Sequence, residues 1–425
     1  MSVLGPMVVV AEEPAGALID VLSDAGAFPI IEASWRDTTA AVAEIGPAAL
    51  AIASPAPAGL DVGIIADVLD AGARYGVAPF LPIFARTTGD DATFLPGTLP
   101  VDATEPAERI VGRIRAALRV RALHAAVMRR AEAAGHAPPA APDIWGDEMM
   151  DDAAVLCIGR GRTYPALAVA VGERVNVVGA LSIEAAAQSL NTRDLDGIVI
   201  GDGFSARIVE ALLIALSEDA RFRDMPIAVH GKGSAGPVDD ALPNLIRLDE
   251  DPLHLVRHLL PYVRLQAFEA QLKRLLKSLD AEGLVDPSTG LRRRDAFWQE
   301  LNRIAADAAD CGGSLSVARI TFGSMIGPRS ALDAARLLSR LVRDVDTACQ
   351  DADGAMLVAF TNTDLRAAHV VARRLAATLR QNVVIPGGRR REIAPTVTLA
   401  TLKPTDTVET MMTRISALPM AAAAE

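Results

Sequence analysis

The sequence predicts an α/β protein in which two parallel-sheet units precede a third unit of different build. Short apolar runs alternate with helical periods, which points to parallel strands covered by helices on both faces. The alternation occurs twice, in stretches of about 110 to 125 residues, each closed by a helix with basic and apolar faces. A chain of 425 residues also exceeds the usual size of a single core.

The first unit, residues 1–125, contains the strand "MVVVAEE", the helix "PAGALIDVLSDAG" and the strand "AALAIAS". It continues with the helix "DVGIIADVLDAGARYG" and the strand "APFLPIF", and the long helix "PAERIVGRIRAALRVRALHAAVMRRAEAAG" closes it. Residues 126–150 are expected to be a Pro/Ala-rich, acidic linker. In the second unit, residues 151–265, the strands "AAVLCIGR", "VNVVGA", "DGIVIGDG" and "MPIAVHG" alternate with the helices "TYPALAVAVG", "IEAAAQSL" and "ARIVEALLIALSEDARF". A helix from about 252 to 283, with Pro261 inside it, closes this unit, and residues 266–285 serve as a linker helix to a third domain, 286–425. Leu265, Phe268, Leu272, Leu275 and Leu279 recur at steps of three and four on one face of that helix, a face able to seat a dimer partner.

Half of the residues (51 %) are apolar and only 4 % aromatic, as in a protein with an ample aliphatic core. A net charge of −11 argues against bulk attraction to nucleic acid or anionic lipid, so any anionic ligand needs a local basic patch. Cys157, Cys311 and Cys349 form no CxxC pair and read as small, reduced core residues. His254 and His258 are spaced i, i+4 but have no third ligand nearby, so no metal site is expected. The start "MSVLGPMVVVAEEP" lacks the basic region and long apolar core of a signal peptide, and no uncharged apolar run reaches spanning length. A cytoplasmic protein without membrane insertion is expected.

The strand–helix order of the first two units resembles the receiver domains of two-component response regulators. That family needs an acidic pair after the first strand for Mg²⁺, an Asp after the third for phosphate, and a Lys after the fifth. The first unit keeps Glu12 and Glu13, but its third strand ends in Ala53 and Ser54. The second has Gly159 and Arg160 at the acidic pair, and Gly201 at the acceptor position with Asp202 one step late. Without an acidic pair, Asp202 has no Mg²⁺ to activate it. Both units are expected to be receiver-shaped docking or dimerisation modules without a phosphoacceptor.

The third domain opens "DPSTGLRRRDAFWQEL", in which Asp286, Thr289, Gly290, Leu291, Arg294 and Phe297 match the opening of GGDEF (diguanylate cyclase) domains. From the residues alone this segment reads as a helix start, with Asp286 and Thr289 capping and Phe297 entering the core. Two receivers ahead of such a domain resemble PleD/PopA-type response regulators. The resemblance implies two flavodoxin-like receiver folds and a GGDEF-like α/β domain with a mainly antiparallel central sheet. It also implies where catalysis would reside. The strand "SLSVARITFG", aligned on Phe322, puts Ala318 and Ile320 where the family holds metal with carboxylates. The guanine-reading stretch has shrunk to "FGSMIGP", Phe322 to Pro328, with no Asn or Asp. Ala352, Asp353, Gly354, Ala355 and Met356 stand at the family's G-G-D/E-E-F tip, and the chain ends "SALPMAAAAE" where triphosphate-gripping Lys and Arg belong. Phosphoryl transfer rests on charge neutralisation and positioning, so a degenerate cyclase without activity is expected.

The family's second ligand site, for cyclic di-GMP, has an R-x-x-D five residues before the tip. Arg343 and Asp346 fall at that spacing, and a further family Arg about eighteen residues past the tip corresponds to Arg374. A guanidinium can fork onto phosphate or onto guanine O6 and N7 and can stack on a purine, and a carboxylate can accept from guanine N1–H and N2–H₂. Arg366, Arg373, Arg374, Arg380, Arg389, Arg390 and Arg391 make this region locally basic. The expected protein is therefore an inactive effector that takes cyclic di-GMP as a regulatory ligand, with no other cofactor, and relays it to a protein partner. It is expected to be a homodimer through its receiver-like domains. The alternatives are a scaffold that binds no nucleotide and a residually active cyclase.

Overall fold

The computed structural model describes residues 4–54, 63–73, 79–87, 97–103, 105–141, 150–231, 237–248, 251–311, 313–322, 327–382 and 395–417. The chain folds as two units. One comprises Pro6–Arg121 and Ala140–Gln271; the other comprises Met1–Gly5, Ala122–Pro139 and Leu272–Glu425.

The first unit holds two parallel five-stranded sheets. The elements of the first sheet are β1 (Gly5–Val10), α1 (Gly16–Asp24), β2 (Ala27–Ala33), α2 (Thr38–Ile45), β3 (Ala49–Ile52), α3 (Ile64–Ala73), β4 (Ile83–Thr87), β5 (Leu99–Asp102) and α4 (Ala107–Ala133). Its order, β2-β1-β3-β4-β5, is the doubly wound flavodoxin-like order. The central strands are buried on both faces, which is why "MVVV" and "ALAI" read as continuous apolar runs. The edge strands β2 and β5 escape such a reading. β2 contains Pro29, which an edge strand tolerates, and leaves Phe28 81 % exposed.

The second sheet is built from β6 (Met150–Ile158), α5 (Tyr164–Gly172), β7 (Val175–Ala180), α6 (Ile183–Thr192), β8 (Gly197–Ile200), α7 (Ala206–Glu218), β9 (Ile227–His230), α8 (Pro237–Ala241), β10 (Leu245–Leu248) and α9 (Pro252–Leu279). Its order, β10-β9-β8-β6-β7, repeats the first, so the duplication read in the sequence is a duplication of fold.

The closing helix read in the sequence as far as Gly135 is α4, which ends at Ala133, so residues 126–133 are its last two turns and not part of the linker that the domain bounds begin at 126. The helix stops only where Gly135 adopts a left-handed φ of +76° and His136 N–H reaches Ala131 O at 2.8 Å, a Schellman-type end. The apolar face of α9 is also not free for a dimer partner. Leu265, Phe268, Leu272 and Leu279 are buried within the single chain, and only Leu275 is exposed.

The second unit contains α10 (Arg294–Cys311), β11 (Leu315–Thr321), α11 (Pro328–Leu341), β12 (Thr347–Gln350), β13 (Met356–Thr361), α12 (Leu365–Asn382), β14 (Thr396–Thr401) and α13 (Val408–Ala417). Its four-stranded sheet, β12-β13-β11-β14, is antiparallel at every registered pairing, as expected. Alternate residues divide between two layers, as the pleat requires. Ala318, Ile320, Met356, Val358 and Phe360 pack with Ala334 and Leu338 of α11 and Ala372 and Leu379 of α12. Val317, Leu357 and Ala359 pack with Phe297 and Leu301 of α10 and Met411 of α13, so Phe297 enters the core. Asp286 and Thr289, however, do not cap α10, which begins at Arg294. They shape the preceding turn instead: the Asp286 carboxylate accepts from Ser288 N–H (2.8 Å) and Ser288 Oγ–H (2.6 Å), and Thr289 Oγ1 accepts from Leu291 N–H (3.2 Å). Among the described residues no helix is long and apolar enough to cross a membrane.

Candidate ligand site at the base of a hairpin

The R-x-x-D segment is the turn between α11 and β12. α11 ends at Leu341, and Asp346 N–H bonds Arg343 O at 3.0 Å, so four residues reverse the chain into the strand. Arg343 is exposed and Asp346 is buried, at 4 % exposure. β12 pairs with β13 so that Thr347 faces Ala359, which brings Thr361 over the turn. There Thr361 N–H donates to Asp346 Oδ1 (3.0 Å), and Thr361 Oγ1–H donates to Val345 O (3.1 Å). From α4, Arg130 Nη2 donates to Asp344 O (3.1 Å) and to Asp346 O (3.3 Å).

These surroundings set the chemistry of Asp346. Burial pushes its carboxyl up to about 7, and Thr361 N–H, Arg343 and Arg130 only partly offset that. Oδ2 makes no hydrogen bond among the described residues. Near neutral pH the group can therefore be either acceptor or donor at that oxygen.

Arg374 lies on α12 and is exposed, as are Arg366, Arg373 and Arg380 on the same helix. Among the described residues its side chain makes no hydrogen bond or ion pair. Arg343 and Asp346 are thus brought together in one turn, with Arg343 close enough to act on the Asp346 charge, whereas no contact joins Arg374 to them. Arg389, Arg390 and Arg391 lie outside the described residues, as do residues 323–326, within the segment expected to correspond to a guanine-reading stretch, and residues 418–425.

At the other end of the hairpin, Asp351 N–H bonds Ala355 O (2.8 Å), and Gly354 turns the corner at φ +83°. Asp351 accepts from Arg294 Nε (2.7 Å), and Asp353 pairs with Arg319 and accepts from Ala355 N–H (3.0 Å). Ala318 and Ile320 on β11 are fully buried in the layer beneath α11 and α12.

Next to the turn lies a buried charge cluster. Arg130 also approaches Asp280 (3.6 Å), which accepts from Arg292 Nη2 (3.0 Å). Arg129 donates to Glu300 (3.4 Å) and Asp307 (3.0 Å). Burial among these cations lowers the Arg292 guanidinium to about 10. Arg130 and Thr361 are the residues that sequence reasoning missed. The available signal was the Arg129-Arg130 pair set among apolar residues at the end of α4, next to the buried Ala126, Val127 and Ala131.

In the parallel sheets, the Asp202 carboxylate is taken up at the start of α5. It accepts from Thr163 Oγ1–H (2.5 Å), Arg162 N–H (2.9 Å) and Thr163 N–H (3.1 Å), and the Thr163 side chain leads in holding it below the usual range. Glu12 accepts from Trp35 N–H (3.2 Å). His258 bonds Thr87 Oγ1 (3.3 Å) and His254 O (3.1 Å), and burial pushes it down to about 4. Cys157 and Cys349 are free and buried, and burial raises both thiols to about 12.

No family model and no curated protein matches the chain. Solved structures similar to part of it include the coiled coil and GGDEF domain of DgcB from Caulobacter crescentus in complex with c-di-GMP, at 19 % identity, covering 36 % of this chain and 89 % of that one with a TM-score of 0.30. The diguanylate cyclase SiaD in complex with its activator SiaC from Pseudomonas aeruginosa is 20 % identical, over 38 % of this chain and 66 % of that one, with a TM-score of 0.31. The FimX GGDEF domain from Pseudomonas aeruginosa is 17 % identical, over 31 % and 89 %, with a TM-score of 0.28.

Proposed function

We propose that the chain is a catalytically inactive cyclic di-GMP effector: two receiver-like modules without a phosphoacceptor, followed by a degenerate GGDEF domain that binds the dinucleotide and relays it to a protein partner. One observation carries the reading: the turn offers an exposed Arg343 beside an Asp346 that has one uncommitted carboxylate oxygen. Arg343 would fork onto a phosphate or onto guanine O6 and N7, Asp346 Oδ2 would accept from guanine N1–H and N2–H₂, and Arg374 would add a second guanidinium. The positions where a cyclase holds metal carry Ala318 and Ile320, closed into the core, so GTP would have no Mg²⁺ to position it. The protein would act in the cytoplasm, as a homodimer through its receiver-like modules, without nucleic acid or membrane insertion.

The bond from Thr361 N–H to Asp346 also suits a second reading, in which the turn is purely structural and the chain is a nucleotide-independent scaffold. Calorimetry with cyclic di-GMP separates the two. Saturable heat from the wild type and at least a tenfold loss of affinity in Arg343→Ala are expected, since a charged hydrogen bond contributes on the order of 1.5–3 kcal/mol. No saturable heat from the wild type would leave the scaffold. Incubation with GTP and Mg²⁺, followed by chromatography, should yield no cyclic di-GMP; any product would establish a residual cyclase.

A further inference from the structure

The turn that carries Arg343 and Asp346 is held more fully than a surface turn needs. Its four successive carbonyls all accept hydrogen bonds. Arg343 O takes Asp346 N–H, Val345 O takes Thr361 Oγ1–H, and Asp344 O and Asp346 O both take Arg130 Nη2–H. Two of these bonds come from the turn itself and its hairpin partner, and the other two come from a single residue 214 positions from Asp344 in sequence, whose one nitrogen donates to both carbonyls.

Arg130 is only 4 % exposed, and its charge is balanced by Asp280 and Glu300, at 3.6 and 4.0 Å. Asp280 and Glu300 also pair with Arg292 and Arg129, and the turn carbonyls satisfy guanidinium N–H groups that burial would otherwise leave unpaired. What they gain is geometry, because a planar guanidinium can bridge two acceptors that a flexible ammonium would not hold together. A site whose backbone is fixed before the ligand arrives loses less freedom on binding.

We infer that Arg130 is a positioning residue for the Arg343–Asp346 site, so that ligand affinity there depends on how the end of α4 is seated on the turn. The inference rests on the cyclic di-GMP reading for its ligand, but the pinning of the turn stands apart from it. The charged groups acting on Asp346 are Arg343 from the turn itself and Arg130 from α4, and both favour the ionised form. Removing Arg130 therefore raises the pH at which Asp346 ionises, and with it the pH at which binding reaches half its maximum.

The test uses the full chain as wild type, Arg130→Met, Arg130→Lys and Arg129→Met. Arg129 is a matched control, since it sits on the same helix end, is also buried, and bonds Glu300 and Asp307 rather than the turn. In calorimetry across pH 5.5–8.5, Arg130→Met should bind cyclic di-GMP on the order of tenfold more weakly, with its pH midpoint moved up. Arg130→Lys should recover part of the loss, and Arg129→Met should stay within about twofold of wild type. Without ligand, amide exchange at Asp346 and Thr361 should quicken on the order of tenfold in Arg130→Met and not in Arg129→Met. Wild-type binding with Arg130→Met unchanged in affinity, midpoint and exchange overturns the inference, as does an equal loss in Arg129→Met. A wild type that does not bind, with exchange still quickened by Arg130→Met, removes the ligand reading and leaves the pinned turn. Should Arg130→Met fail to fold, the same readouts on Arg130→Lys decide, with unchanged exchange and affinity counting against the inference.

Discussion

The β12–β13 hairpin carries carboxylates at both ends, and the two ends treat them in opposite ways. At the tip, Asp351 and Asp353 reach solvent and are tied to Arg294 and Arg319. Burial acts against ionisation at Asp353, but Ala355 N–H and Arg319 outweigh it and hold the carboxyl below its usual range. At the base, Asp346 also has a backbone N–H and two arginines acting on it, yet burial prevails and lifts it to about 7. The number of favourable partners is thus similar, and access to water decides the outcome. A carboxylate already neutralised at the tip has little left to offer a metal or a ligand. One kept near its titration point and bonded through a single oxygen still has a choice to make.

The strongest way to break this comparison is to remove the titration at the base. The folded-state pKa of Asp346 lies above the ordinary 3.8, so the folded protein keeps a proton that the unfolded chain releases. The stability this group contributes is therefore present at low pH and lost as pH rises from about 4 to about 7. Asp346→Asn should not show that loss, and its advantage over wild type should grow with pH to on the order of 4 kcal/mol above pH 7. Urea unfolding at pH 5 and pH 8 reads the difference, and a gap independent of pH would mean that Asp346 is ionised throughout. A smaller effect is expected at the tip from Gly354→Ala. No atom lies within 4 Å of the new Cβ, so only the left-handed backbone at φ +83° resists, at about 1 kcal/mol. A loss beyond about 3 kcal/mol in thermal unfolding would show that the tip is packed rather than free. The smallest effect belongs to Asp353→Ala, about 0.5 kcal/mol, because the pair with Arg319 is half exposed. It should fade in high salt, and an effect that persists at 1 M salt would contradict the solvated-pair description.

Sequence patterning was enough for the doubled parallel sheet, since continuous runs such as "MVVV" and "GIVI" have no amphipathic alternative that fits so short a length. It missed β2, β5 and β10. Two of these have only four residues, and β2 is interrupted by Pro29, so none carries a period long enough to read. The hairpin and its Gly354 corner were legible because a turn is a local property. The state of Asp346 was not. An aspartate between Val345 and Thr347 reads as surface, and its burial depends on Thr361 and Arg130, whose approach only the folded chain creates. The absence of any contact from Arg374 to that turn was equally out of reach, because residue spacing says nothing about how far apart a helix and a turn stand.

The packing of Ala318 and Ile320 limits which side chains those two positions can carry. Both are fully buried in an apolar layer with Ala334, Leu338 and Ala372. An aspartate arriving at either position would enter that layer unpaired, at a cost of several kcal/mol, a large part of what a domain usually has to spare.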